Sequence, residues 1–374
     1  MKMIITLILI LLVHLFQASS FNLKPEICAD NIRLQRRALS LHSTKSRYAN
    51  ATPKPLHRNS NKQRAKSPSI RNSRPNLPSI SEQLSYARNG HAAIRNSLDA
   101  NVLKKLRTEI VKYCKKRELL AWQQKVEVAA DSPSLAASCT SIEACQKELR
   151  RLGIPYSLPF LQYFHTNRDL PDVRKIAVHL AESAAVLLDV PSVRLYQDAL
   201  FWKRPGDGPT PWHVDARMAP FDTSHLITFW IPLQAVPADG TALVFCSKSH
   251  SDFALPYWNS YKESAENPDS PWNRLEERYE RDYSGMDSLV DYMPLDLGDM
   301  TAHSGWTLHC ANANTGKHDR LALAITYVDA RAPVRVRTDE GDSEDVWSYQ
   351  DWISQVPRGT PDWDHPLVPI IWSK

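Results

Sequence analysis

The chain has 374 residues, 43% of them hydrophobic and eleven of them tryptophan, which suffices for one large domain or two small ones with a sizeable core. Its net charge of +5 averages two unlike regions: residues 31–81 carry twelve Lys or Arg and no acid, whereas 82–374 carry 32 basic and 39 acidic residues, a net of −7. A mildly acidic folded part argues against nucleic acid as its partner, and six scattered cysteines with no CxxC pair argue against a disulfide scaffold.

Residues 1–20, MKMIITLILILLVHLFQASS, have the form of a secretory signal peptide: Lys2, an almost unbroken apolar run over 4–16, then Ala18, Ser19 and Ser20. That run falls short of the roughly 20 residues that span a bilayer, so no stable membrane span is expected in the mature chain; a retained anchor is the lesser alternative. Residues 21–81 are basic, rich in Ser, Pro and Asn, and poor in apolar side chains, a composition that predicts disorder. They fit either a solvated basic linker or nucleic-acid tail, or a plastid transit peptide. The join "ASSFNL", with Phe21 just after the expected cut, resembles the bipartite presequences of algae whose plastids are reached through the secretory pathway. The expected destination is therefore a plastid, with an endomembrane lumen or secretion next.

A domain is expected over 82–374. "HAAIRNSLDANVLKKLRTEIVKYCKK" predicts a short strand, a cap at Asp99 and a helix whose Leu103, Leu106, Ile110 and Tyr113 share one face. A second helix is predicted over 173–188, with Ile176, Leu180, Ala184 and Leu187 on one side and Asp189-Val190-Pro191 ending it. From Val193 the texture changes to short β-branched and aromatic runs, "VRLYQDALFWK", "HLITFWIPLQAV" and "ALVFCSK", which predict strands. "RLALAITYVDA" alternates: Leu321, Leu323, Ile325 and Tyr327 on one face, Arg320, Ala322, Ala324 and Thr326 on the other. The second, smaller face suits the inside of a barrel. Helices followed by many short strands predict an α+β chain around a double-sheet jelly roll, a cupin-like double-stranded β-helix. Residues 251–294, acidic and aromatic, interrupt the strands as either a lid-like insertion over a site or an ordered surface loop.

"PWHVDAR" places His213 and Asp215 two apart, so that in a strand both aim at one side with Val214 facing away. Such a triplet is frequent by chance and gains weight only with a third ligand from a distant strand. "LGDMTAHSGWTLHCANANTGKHDRLALAITYV" offers two, His303 and His309, ahead of the strand that opens with Arg320. Two imidazoles and one carboxylate make the facial triad of non-haem Fe(II) oxygenases, with three positions left open. The planar fork of Arg320 can take a carboxylate in a bidentate pair.

From about residue 85 onward the chain resembles the phytanoyl-CoA dioxygenase family of Fe(II)- and 2-oxoglutarate-dependent oxygenases. The resemblance runs in order through "FLQYFHTNRDLPDVRKIA", "VRLYQDALFWKRPGDGPTPWHVD", "LITFWIPLQAVPADGTALVF", "GDMTAHSGWTLHCANANTGKHDR" and "WISQVPRGTPDWDHPLVPIIW". It implies that His309, eleven residues before Arg320, is the distal ligand and that His303 is a neighbour lining the pocket. It implies catalytic and metal roles for His213, Asp215 and His309, and cofactor-binding roles for Arg320, Lys203, Trp230, Thr301 and Asn314, with Trp212 nearby; for all but the triad and Arg320, core packing or a strand-end hydrogen bond is the other role open. The chain departs from the family at Ser247-Lys248-Ser249-His250, where PGSH is usual, and at Asn312 and Ala313, where Gly-Pro is common. Related halogenases lack the carboxylate ligand, which Asp215 supplies here. The resemblance thus implies hydroxylation of a small organic or acyl substrate by Fe(II), O2 and 2-oxoglutarate, with release of succinate and CO2 and ascorbate as an accessory reductant. Two other readings stay open: a non-catalytic binding or sensing jelly roll, and a cupin-like metal enzyme that uses no keto acid.

Overall fold

A computed structural model describes residues 77–130, 132–153, 160–251, 288–336 and 350–374. The expected signal peptide and nearly all of the basic segment lie outside the described residues, as does most of the 251–294 insertion. Among the described residues no helix is long and apolar enough to cross a membrane.

The first described helix, α1 (Ile80–Asn89), starts two residues ahead of the expected domain boundary. Ser79 and Glu82 form a reciprocal capping box, and Gly90 closes the helix at φ 81° with its N–H on the Tyr86 carbonyl. A side chain at Gly90 would be strained and would meet Thr307 and His250 at 2.5 Å. Strand β1 (His91–Ile94) follows, and then α2 (Ala100–Ala130), which is longer than the sequence pattern predicts. The predicted cap holds: Asp99 Oδ1 accepts from the Asn101 and Val102 amides. Leu103, Leu106 and Ile110 are buried as expected. Two short helices that the sequence pattern does not predict come next, α3 (Pro133–Ser138) and α4 (Ile142–Arg151), each capped by a serine, Ser132 and Ser141.

After β2 (Leu161–Phe164), helix α5 (Pro171–Leu188) starts on a proline and ends where Asp189 turns left-handed at φ 54°. The strands then run β3 (Ser192–Lys203), β4 (Thr210–His213), β5 (Leu226–Pro232), β6 (Leu243–Cys246), β7 (Leu289–Val290), β8 (Met300–Ser304), β9 (His309–Ala311) and β10 (Arg320–Asp329). A short helix α6 (Gln350–Ile353) and strand β11 (Ile370–Ser373) complete the described chain.

These strands form two antiparallel sheets. The larger has the order β1-β8-β5-β10-β3-β11, with β2 also paired to β3; the smaller has the order β4-β9-β6-β7. Helix α5 covers the outer face of the larger sheet. Leu321, Leu323, Ile325 and Tyr327 of β10 share a core with Ile176, Ala177, Leu180 and Ala184 of α5, and the Tyr327 hydroxyl donates to the Ala177 carbonyl at 2.8 Å. The other face of β10 turns inward: Ala322 packs with Trp230 of β5 and with Phe245 and Ala311 of the smaller sheet. The predicted alternation of β10 therefore sorts helix-facing from barrel-facing side chains. The chain has the α+β jelly-roll architecture, its interior lined by one face of each sheet.

Candidate metal centre

Strands β4 and β9 pair so that His213 lies opposite His309, with ring centroids 4.2 Å apart. A distance of ninety-odd residues along the chain is thereby closed by one cross-strand pair. The expectation that His213 and Asp215 share a strand needs correcting. The strand ends at His213, and Asp215 opens a 3-10 turn over Asp215–Arg217. Val214 between them is extended, at φ −123° and ψ 131°, and its side chain is buried. One extended residue keeps the period of two, so the imidazole and the carboxylate still point to one side. The turn is tied down by the Ala216 amide, which donates to the Gly305 carbonyl.

His213, Asp215 and His309 each offer a ligand atom, all within 4.8 Å of one another. Asp215 Oδ1 lies 3.6 Å from His213 Nε2 and 3.7 Å from His309 Nε2. The His309 ring has a defined tautomer, because its Nδ1 faces the Thr307 carbonyl at 2.9 Å and must donate, leaving Nε2 as a bare lone pair aimed at the cluster. Burial, and then the neighbouring His213 and His303, keep His309 well below the ordinary imidazole range, so it is neutral. For Asp215, burial alone would raise the carboxyl; His309, a hydrogen bond from His303, and His213 outweigh it and hold the group well below the usual range, ionised. A neutral imidazole and an ionised carboxylate are the forms a metal requires.

His303 is not at the common point of the other three. Its Nε2 faces the far oxygen of Asp215, Oδ2, at 3.1 Å. The same oxygen accepts from Thr228 Oγ1 at 2.7 Å, and Thr228 is in turn 3.0 Å from Thr326 of β10. Sequence reasoning missed Thr228. It alternates with Ile227 and Phe229 and shares its face with Trp230, but β5 is buried on both faces, which hides the alternation.

Beyond the cluster lies a polar floor. Arg320 opens β10, is 6% exposed, and has its guanidinium carbon 5.4 Å from the centre of the Trp230 ring. No carboxylate among the described residues pairs with it, and its Nε has no partner. Burial pulls it down to about 10, so it remains charged at neutral pH. Trp230 Nε1 and Thr301 Oγ1, from residues paired across β5 and β8, are also buried and have no partner among the described residues. Gln197, opposite Thr326 on β3 and likewise missed, has a buried and unpartnered Oε1. Lys203 is the cross-strand neighbour of Arg320; its Nζ donates to the Asn312 carbonyl at 2.9 Å and sits over the Phe160 ring. Trp212 is buried on β4. Asn314 stands apart, because its side-chain amide donates to the Lys203 and His318 carbonyls and its oxygen accepts from Gly316. It closes the turn leading into β10, the strand-end role that the sequence left open.

Unpartnered donors around a buried cation fit a bound anion, and the O,N,N cluster fits a divalent first-row metal. Similarity to known proteins agrees. The model of the phytanoyl-CoA dioxygenase (PhyH) family matches residues 86–322. Among solved structures, a non-heme alpha-ketoglutarate-dependent carbocyclase, SnoK from nogalamycin biosynthesis, is 18% identical with a TM-score of 0.51, covering 82% of this chain and 100% of its own. The epimerase SnoN, solved with Fe3+, alpha-ketoglutarate and nogalamycin RO, is 19% identical with a TM-score of 0.50, covering 78% and 98%. A search of curated proteins gave no match. With more than half its length matched, the chain belongs to the phytanoyl-CoA dioxygenase family and is a non-haem iron enzyme that depends on 2-oxoglutarate.

Proposed function

We propose that the chain hydroxylates a small organic or acyl substrate, coupled to conversion of 2-oxoglutarate and O2 to succinate and CO2, with His213, Asp215 and His309 holding Fe(II). The observation that carries the reading is the convergence of these three groups in a fold that also holds a buried guanidinium with no acid partner among the described residues. Bound iron supplies the oxygen chemistry; the side chains supply binding, orientation and exclusion of water. Arg320 pairs with the far carboxylate of 2-oxoglutarate, Trp230 gives that chain a flat wall and an N–H donor, and Thr301 adds a hydroxyl. The substrate enters over the half-exposed side of the cluster, where His213 and Asp215 are more accessible than His309. Loops, chiefly residues 205–211 and the 251–294 insertion, set specificity.

The test is to incubate the protein with Fe(II), ascorbate and 2-oxoglutarate and measure succinate, with and without an untargeted metabolite extract. Succinate that rises with extract and disappears in Asp215→Ala supports the reading; full turnover in Asp215→Ala refutes the ligand assignment. SnoK and SnoN are named for ring closure and epimerisation, so the product must be checked for an added oxygen, and its absence would overturn hydroxylation.

A further inference from the structure

The two oxygens of Asp215 have unlike surroundings. Oδ1 faces the imidazoles of His213 and His309. Oδ2 faces the larger sheet, where Thr228 Oγ1 and His303 Nε2 lie at 2.7 and 3.1 Å. An ionised carboxylate only accepts, so both neighbours must donate. These two donors are cross-strand partners on β5 and β8. Because its hydrogen points at Asp215, the Thr228 hydroxyl accepts from Thr326, which stands on β10 with Arg320 at its start. His303 is 1% exposed, its ring packed between those of Phe245 and His309 at 5.4 and 4.3 Å, and its Nδ1 has no partner among the described residues. Among the described residues its one hydrogen bond is to Asp215.

We infer that Thr228 and His303 are positioning residues that hold Asp215 as a one-oxygen metal ligand, an inference that rests on the ligand assignment above. Rotation of the carboxylate plane would present both oxygens to the ion and occupy a position that a chelating co-substrate or O2 needs. A facial triad works only while three positions stay open. Two donors fixed on neighbouring strands, one of them relayed to the central strand, oppose that rotation. They also tie the ligand to the strand that carries Arg320, so the spacing between metal and guanidinium is set by one sheet. Outer partners of this kind are worth about 10- to 100-fold in metal affinity.

The test uses Co(II), whose visible absorption reports coordination number, titrated into the purified chain and into Thr228→Val, Thr228→Ser, His303→Phe and Asp215→Ala. Thr228→Val and His303→Phe are expected to bind Co(II) about 10- to 100-fold more weakly and to change the shape of the band, while Thr228→Ser stays within about threefold and keeps the parent band. Parent affinity and parent band in both Thr228→Val and His303→Phe would overturn the inference. So would a loss in Thr228→Ser equal to that in Thr228→Val, since packing rather than the hydroxyl would then be responsible. Metal-free thermal unfolding is recorded for each variant. If Thr228→Val does not fold, Thr326→Val, which removes only the relay, replaces it with the same expected band change. Asp215→Ala separates the two levels: if it binds Co(II) like the parent, the ligand assignment has failed; if it alone loses binding, only the positioning inference has.

Discussion

The guanidinium of Arg320 lies over the ring of Trp230, buried and with no carboxylate beside it among the described residues. An unpaired buried charge destabilises a fold unless something else needs it. Arg320→Met should therefore leave the thermal stability of the ligand-free protein unchanged or higher. In the parent, 2-oxoglutarate at a hundredfold excess over its Kd should add about 2.7 kcal/mol of stability, and Arg320→Met should lose most of that gain. Arg320→Ala should weaken 2-oxoglutarate by roughly 2–5 kcal/mol. Because the group is pulled down to about 10, affinity should hold through neutral pH and fall as the pH rises through that value. An unchanged affinity in Arg320→Ala, measured by calorimetry, would remove Arg320 from the site.

The signal-like residues 1–20 and the basic, acid-free stretch 31–81 lead to a second expectation, about address rather than chemistry. Residues 1–81 fused to a fluorescent protein should carry it into the secretory pathway and on to the plastid of an alga with secretory-route plastids. Replacing Phe21 with Ala should stop the fusion at an earlier compartment. Fluorescence left in the cytosol would refute the presequence reading.

The parts of the site legible in the sequence are those where one period applied. The alternation of β10 sorted Arg320, Ala322, Ala324 and Thr326 from the helix-facing Leu321, Leu323, Ile325 and Tyr327, and the structure places the two sets on opposite faces. His213 and Asp215 converge as the spacing suggested, although a turn has replaced the strand at Asp215. Spacing could not choose between His303 and His309; only the pairing of β9 with β4 brings His309 opposite His213, while β8 sends His303 to the back of Asp215. Thr228 was hidden because β5 is apolar toward both the helices and the interior. Helices α3 and α4 were overlooked because each is short, although Ser132-Pro133 and Ser141 are ordinary start signals.

Tyr327 links the larger sheet to α5. Its hydroxyl is buried, donates to the Ala177 carbonyl, and is pushed well above 10 by burial and then by Asp198. The unfolded chain ionises this tyrosine first as the pH rises, so the stability is present in full below about 10 and lost above it. Tyr327→Phe should cost about 0.5–1.5 kcal/mol at neutral pH by removing one buried hydrogen bond to a carbonyl within α5, and should make the alkaline loss shallower. Urea unfolding at neutral and alkaline pH measures both; an alkaline slope identical to that of the parent would count against the assignment.

His91 gives the opposite pH behaviour. It is buried at the start of β1, with Nδ1 on the Tyr292 hydroxyl at 2.7 Å and Nε2 on the Ser247 hydroxyl at 2.9 Å, and its ring stacks on Phe245 at 4.9 Å. Ser247 precedes the 251–294 insertion and Tyr292 lies near its end, so one imidazole joins the two stretches of chain. Burial, and then His303 and His250, pull it from 6.5 down to about 3. As the pH falls, the unfolded chain takes up a proton that the folded chain refuses. The stability is therefore present in full above 6.5 and is lost as the pH falls toward 3. At about pH 4.5 the loss from this one group is at most about 2.7 kcal/mol, since holding off one proton costs about 1.4 kcal/mol for each step of one in pH. His91→Phe keeps the stacked ring but removes its hydrogen bonds to the Ser247 and Tyr292 hydroxyls, and should cost about 1–3 kcal/mol at neutral pH. It should also lose less stability than the parent between about pH 7 and about pH 4.5. Urea unfolding of both proteins at the two pH values measures the difference, and equal losses would show that His91 is not the group that carries the acid sensitivity.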